Sequence, residues 1–478
     1  MAGPNKKLSD SFEIFGRWWL PDQADEKIAG KLVFNGKEDC TLTLFGKFGG
    51  LPPGQQIGLG ADFRAEIILG VSEGGDFITL LYATQSGLSL KSAEGLGIIQ
   101  SFWIRYILWG VNHFSKLDEV LFDSFHFSIS NLESWVAINP FNHSIKLDEN
   151  KHFVGIDARY VSPEIKEFAV PSLDCKVTVT HTSKTGGSNL RSFTINHDSF
   201  LKIVPKLQKK LDWYLEVSRD LNNLINLLVG KPSSILRIIG NIKYIDEKGK
   251  ERNKEVEVYY CPVVEPTDSN IHPVEVLFPL PRIDADFPDI VNAWFSQSDK
   301  LRSVYDLYFG VLQQKGMYAH LHFLTLMQAI ESFHRNSKSG KYMDDDSYKI
   351  LEKEMVAALP KEMPDAIRIS MKSKIKYGNE FSLRKRMNDI FNDIGEKLTA
   401  LVCKDKEYFI NKGVNTRNYY THWTKELEAE AITDFVALVH FNQRLKILLA
   451  ILLIKAINIG SSGFQVAKGF MLRAPQWK

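Results

Sequence analysis

The stretch RNYYTHWTKELEAEAITDFVALVHFNQRLKILLAILLIKAI, residues 417–457, decides the fold class of the C-terminal part of the chain. Leu427, Ala431, Phe435, Leu438, Leu445, Leu449 and Leu452 recur on one broad stripe at the helical period. A long helix with one apolar face must bury it against other helices, which is the logic of a bundle. Working back from it, the pattern stays helical from about residue 295. It predicts helices over 299–314, 317–335, 383–411 (with a break near Gly395) and 417–457. Shorter ones fall between 347 and 378, interrupted by Pro360 and Pro364.

Upstream the period changes. KLVFNGKEDCTLTLF carries Asn35-Gly36, a type I′ hairpin signal, between strand formers. AEIILGVSEGGDFITLLYAT repeats the pattern around Gly74-Gly75, and FHFSIS and KVTVTH alternate apolar with polar. Such strands point to a sandwich or barrel-like sheet. In KLQKKLDWYLEVSRDLNNLINLLVG, leucines at 207, 211, 215, 221, 224 and 228 fit one helical face, with Gly230 as a stop. A hairpin-like unit follows over about 235–262, and PRIDADFPDI at 281–290 reads as a linker. The expected organisation is an α+β multidomain chain. It has a β-rich N-terminal domain over 1–205, a helix plus β-hairpin extension and linker over 206–294, and an all-α bundle over 295–478.

Composition narrows the function classes. The chain has 478 residues, 44% hydrophobic and 24% charged, which is globular rather than disordered. A formal charge of +2 makes any nucleic-acid site a local patch. Cys40, Cys175, Cys261 and Cys403 lack zinc-type spacing and read as reduced thiols. MAGPNKKLSD has no apolar core of a secretory signal. The most apolar run, between Lys446 and Lys455, falls short of the about 20 residues that span a bilayer. The expectation is a cytoplasmic protein with no membrane partner. GLPPGQQIGLG (50–60) lacks the lysine of a phosphate-binding loop and reads as a surface loop. Neither a GxSxG nor an HExxH sequence occurs, and His320 and His322 are two apart, which suits no helical metal pair. No metal and no cofactor are expected.

The remaining chemistry gathers in NKGVNTRNYYTHW, residues 411–423. Gly413 can end one helix and Asn415 or Thr416 can cap the next, which places Arg417 in a first turn. His422 is five residues on, about 7.5 Å along a helix axis and about 140° around it. The two side chains therefore do not stack on one face, and a cleft completed by a second helix or chain is expected. Cleavage of RNA by its own 2′-OH needs one proton removed and another delivered, for which histidine is suited. It also builds charge on the phosphorus centre, which an arginine fork stabilises. Asn418 can donate one more hydrogen bond.

Glu331, in LMQAIESFHR, either orients Arg417 or His422 from a neighbouring helix or pairs with Arg335 at i, i+4. His334 reads as structural. The basic run at 368–387 holds Lys372, Lys374, Lys376, Arg384 and Arg386, which either track an RNA backbone or form a solvated face. Tyr419, Tyr420 and Trp423 either stack an extruded base or pack in the core.

RNYYTH resembles the R-N-x-x-x-H signature of the HEPN superfamily of helical-bundle ribonucleases. FEIFGRWWLPD, KLVFNG, NLESW, LMQAIESFHR and SLRKRMNDIF resemble the ApeA-like proteins, which pair a β-rich N-terminal domain with a HEPN domain. The resemblance covers nearly the whole chain. It implies an antiphage ribonuclease acting by abortive infection, with Arg417, Asn418, His422 and Glu331 in the active site. Tyr420 and the named basic residues are then the RNA contacts. The further implications are an RNA substrate, tRNA first, a homodimer whose two motifs share a cleft, and an N-terminal domain that senses a phage component or restrains the nuclease. The alternative is a non-catalytic HEPN module that binds RNA, nucleotides or protein.

Overall fold

The computed structural model describes residues 5–36, 39–49, 63–91, 97–110, 112–188, 190–267, 271–314 and 316–459. The glycine-rich stretch 50–60 lies outside the described residues. The chain divides into two compact units, 1–292 and 293–478.

The first unit is built on one 12-stranded sheet. Its first six strands are β1 (Ser11–Trp19), β2 (Ile28–Asn35), β3 (Cys40–Leu44), β4 (Arg64–Ser72), β5 (Phe77–Lys91) and β6 (Gly97–Gly110). They close into a barrel in the order β6-β3-β2-β1-β4-β5, with β5 paired back onto β6. Burial alternates as a barrel requires: in β1, Ile14 and Trp18 point inward while Glu13, Phe15 and Arg17 face out. β2 and β3 pair as expected, but Asn35 N–H donates to the Asp39 carbonyl, so the connection is longer than a two-residue turn. The Gly74-Gly75 hairpin forms between β4 and β5, with Gly75 at φ +83°.

The sheet continues beyond the barrel because β6 is shared. Its first half pairs with β3 and its second half with the last strand of the unit. The following strands are β7 (Leu121–Phe122), β8 (Ser124–Ile129), β9 (Phe141–Leu147), β10 (Phe153–Tyr160), β11 (Lys166–Val170), β12 (Cys175–Gly186), β13 (Thr194–Pro205), β14 (Lys209–Lys210), β15 (Ile235–Ile245) and β16 (Glu251–Tyr259). The open part runs β11-β12-β13-β8-β15-β16 into β6, while β9–β10 and β7–β14 form separate two-stranded ribbons. From the stretch 206–294, set apart by its sequence pattern, the hairpin β15–β16 enters this sheet between β8 and β6.

A short helix α1 (Leu132–Val136) precedes the long α2 (Leu211–Val229). α2 packs on the open sheet through Tyr214, which stacks on Phe125 at 4.4 Å and donates to the Phe122 carbonyl at 2.9 Å. Leu207 is excluded from that face; it precedes the helix and is exposed. The stretch 281–290 is not an open linker. It folds into α3 (Leu280–Ile283) and the start of α4 (Phe287–Ser296), burying Leu280, Ile283, Phe287 and Ile290.

The second unit is helical: α5 (Ser298–Gln313), α6 (Ala319–Ser337), α7 (Asp345–Ala357), α8 (Asp365–Lys376), α9 (Leu383–Val402), α10 (Lys406–His422), α11 (Lys425–Glu428) and α12 (Phe435–Ala456). α9 is kinked at Gly395, whose φ of +78° breaks the helical path. The predicted 417–457 helix is in fact two helices with a turn and α11 between them; of its stripe, Leu438, Leu445, Leu449 and Leu452 are buried on α12, while Phe435 at the start of α12 is exposed. At 22 residues, α12 is long and apolar enough to cross a membrane, contrary to the expectation from its most apolar run. Of its most apolar window, 72% is buried within the protein, which marks a core helix. The four cysteines are free thiols, and burial pushes Cys403 up to about 12.

Candidate active site

NTRNYYTH ends a helix and does not begin one. α9 stops at Val402, and Asp405 caps the next helix by accepting the Tyr408 N–H at 2.9 Å. α10 then runs to His422, and Trp423 terminates it in the left-handed region at φ +53°. The two residues that suggested a break serve tertiary packing. Gly413 is buried mid-helix, where an added Cβ would lie 3.3 Å from the Phe441 ring and 3.7 Å from the Met327 methyl. The glycine therefore admits close approach of α12 and α6 to α10. The fully buried Thr416 hydroxyl accepts the Ile432 N–H at 2.9 Å rather than capping its own helix. Tyr420, one turn on, donates to the Ile432 carbonyl at 3.2 Å. Both backbone groups of Ile432 are thus satisfied, which pins the segment between α11 and α12 against α10.

This reversal changes the electrostatics. A helix C-terminus presents carbonyls, not N–H groups, so the backbone here offers a phosphate nothing. Any anion must be held by side chains.

Arg417 supplies one. It lines a cleft of about 400 Å³ with Thr421 from the same helix, Leu324, Met327, Gln328, Glu331, Ser332 and Arg335 from α6, and Leu383 from α9. Its guanidinium donates to Asn418 Oδ1 at 3.3 Å. Thr421 is four residues from Arg417, and its hydroxyl donates back to the Arg417 carbonyl at 2.7 Å. Of the two roles considered for Glu331, the structure shows the pair with Arg335: Oε1 accepts from Arg335 Nε at 3.1 Å and Nη2 at 3.0 Å, on the wall of the cleft that Arg417 also lines.

Sequence reasoning missed Arg335 as a cleft residue. The signal was present, since Gln328, Glu331, Ser332 and Arg335 follow the i, i+3, i+4, i+7 spacing of one helical face. His422 is not part of the cleft lining; it stands exposed at the end of α10.

Two expected RNA contacts are corrected. Arg386 is buried at 2% exposure, with Nε donating to the Phe381 carbonyl at 3.0 Å and Nη1 to His334 Nδ1 at 3.1 Å. Burial pulls its pKa down, with Arg335 adding to the effect and Glu331, Glu380 and Asp389 opposing it. It ties α6 to α9 and cannot reach an RNA. Tyr420 is likewise buried, its hydroxyl is taken by Ile432, and its ring stacks on His320 at 5.5 Å. Trp423 stays 60% exposed, edge-on to Tyr420 and His320. Lys372, Lys374 and Lys376 on α8 and Arg384 in the first turn of α9 are exposed and outside the cleft lining.

His334 is structural, as read from the sequence. Arginine only donates, so Nδ1 of His334 accepts and the proton sits on Nε2, 3.4 Å from Asp389 Oδ2. Burial lowers its pKa, which keeps the ring neutral.

Comparison with known families completes the picture. Residues 13–294 match the family model described as ApeA N-terminal domain 1, and residues 324–460 match Apea-like HEPN. No curated protein and no solved structure matches the chain.

Proposed function

The chain belongs to the ApeA-like family and carries its HEPN domain, and from this premise we propose that it is a metal-independent endoribonuclease of antiphage defence. The carrying observation is that Arg417, Glu331 and Arg335 line one open cleft, with Arg417 belonging to an intact R-N-x-x-x-H sequence.

In the proposed reaction the 2′-OH oxygen attacks phosphorus and the P–O5′ bond breaks. The products are a 2′,3′-cyclic phosphate and a 5′-hydroxyl. One imidazole takes the 2′-OH proton and another delivers a proton to the 5′-oxygen. Arg417 bears the charge that builds up on the phosphoryl oxygens. Each chain has one His422, and it stands outside the Arg417 cleft. A homodimer that sets two His422 side chains across a shared cleft supplies both proton transfers. The substrate we favour is tRNA, with the N-terminal domain sensing a phage component or restraining the nuclease in the cytoplasm.

Arg417→Ala and His422→Ala should each lower RNA cleavage by about 100-fold or more while leaving thermal unfolding unchanged. Sequencing RNA ends should find 2′,3′-cyclic phosphates with the wild type and none with His422→Ala. Parental cleavage by either variant in the presence of chelator overturns the assignment. Tight RNA binding without products identifies the chain as a binding module instead.

A further inference from the structure

Two guanidinium groups facing one cleft repel each other unless something else uses or balances them. Among the described residues, Arg417 donates to its neighbour Asn418 alone. Arg335 is held differently: Nη1 donates to Glu380 Oε2 at 2.6 Å, and Nε and Nη2 donate to Glu331 Oε1. The Arg335 partner in turn holds the Glu380 carboxyl below the usual carboxylate range. Glu380 is itself fixed, because its backbone bridges Lys341 and Phe381 N–H donates to the Gly340 carbonyl at 2.8 Å. Among the described residues, three of the five N–H donors of Arg335 are taken, which leaves two, and its side chain is 45% exposed.

An exposed arginine clamped on two sides, with donors to spare and a cleft in front, is pre-organised to grip an anion at small entropic cost. We propose that Arg335 binds a second RNA phosphate, neighbouring the one at Arg417, and that Glu380 is its positioning residue. This rests on reading the cleft as an RNA site. The division of labour follows from the geometry. The rigid arginine binds ground state and transition state alike, and the loosely held Arg417 follows the reacting phosphate.

The test uses the full-length protein and a fluorescent 2′-O-methyl RNA oligonucleotide, which lacks the nucleophile and reports binding alone. Arg335→Ala should weaken binding by about ten-fold and reduce the slope of log affinity against log salt by about 0.7. On cleavable RNA it should raise KM with kcat within about three-fold. Arg335→Lys should keep the salt slope and lose several-fold in affinity, because a lysine keeps the charge and loses the fork. Glu380→Gln should raise KM several-fold with the salt slope intact. Wild-type affinity and slope in folded Arg335→Ala, with only a lowered Tm, reduces Arg335 to a structural ion pair and overturns the proposal. If Arg335→Ala does not fold, wild-type affinity in Arg335→Lys overturns it. The two readings fail separately. Loss of binding in Arg335→Ala without any cleavage by the wild type sinks the nuclease reading alone, and cleavage with an unchanged KM in Arg335→Ala sinks this one alone.

Discussion

The second unit holds two polar clusters that share α6 and α9 and differ in solvent access. In one, Arg386, His334 and Asp389 meet where Arg386 and His334 are 2% and 1% exposed. In the other, Arg417, Glu331 and Arg335 line an open cleft. The residue types are nearly the same and the roles are opposite. A desolvated arginine must spend its donors on the protein, because an unpaired buried charge is costly. An arginine at a water-filled cleft keeps donors for a ligand. Arg386 turns its donors to Phe381, His334 and Gly340 inside the bundle, whereas Arg335 makes its bonds to Glu331 and Glu380 with its side chain 45% exposed.

Substitutions sharpen this contrast. Arg386→Ala should cost about 3–5 kcal/mol of stability, since it strips a buried network of its cation, whereas Arg417→Ala should cost less than about 0.5 kcal/mol. Urea titration of both variants checks the difference, and equal midpoints would erase the distinction between the clusters. Thr416→Val should cost about 1–3 kcal/mol, because it leaves the buried Ile432 N–H without its acceptor. A Thr416→Val protein with wild-type stability would show that this clamp contributes nothing to the helix bundle.

The smallest effect depends on pH. His334 is held neutral in the folded protein, with its pKa lowered by burial, and titrates near 6.5 when unfolded. The unfolded chain therefore takes up the proton first as pH falls. The stability contribution of His334 is complete above about pH 6.5 and is lost as pH falls from there towards the lowered folded value. Comparing wild type with His334→Gln from pH 7.5 to 5.5, the wild type should lose more stability on acidification. Parallel losses would mean that the buried cluster does not disfavour the charged ring.

Much of this was legible beforehand, and the misreadings share one cause. The β-rich start, the helical second half, the kink at Gly395 and the structural His334 all followed from period or turn chemistry. Gly413 and Thr416 misled because their ordinary local roles, helix stop and helix cap, were displaced by remote partners. The Phe441 ring sits tightly over Gly413, 3.3 Å from where a Cβ would be, and the Ile432 N–H donates to the Thr416 hydroxyl. Arg386 misled for the same reason. A run of basic residues reads as one surface, yet Arg386 turns inward to His334 while Arg384, two positions earlier, stays exposed.

By itself the sequence determined that a β-rich part precedes a helical one, and it determined the family. Those properties reside in side-chain chemistry and local period, which survive without knowledge of neighbours. Only the tertiary structure decided that the motif closes a helix, that Tyr420 and Arg386 are spent on packing, and that Arg335 joins Arg417 in one cleft. Each of those outcomes depends on which distant group removes water from a side chain or takes its hydrogen bond, and no local pattern carries that information.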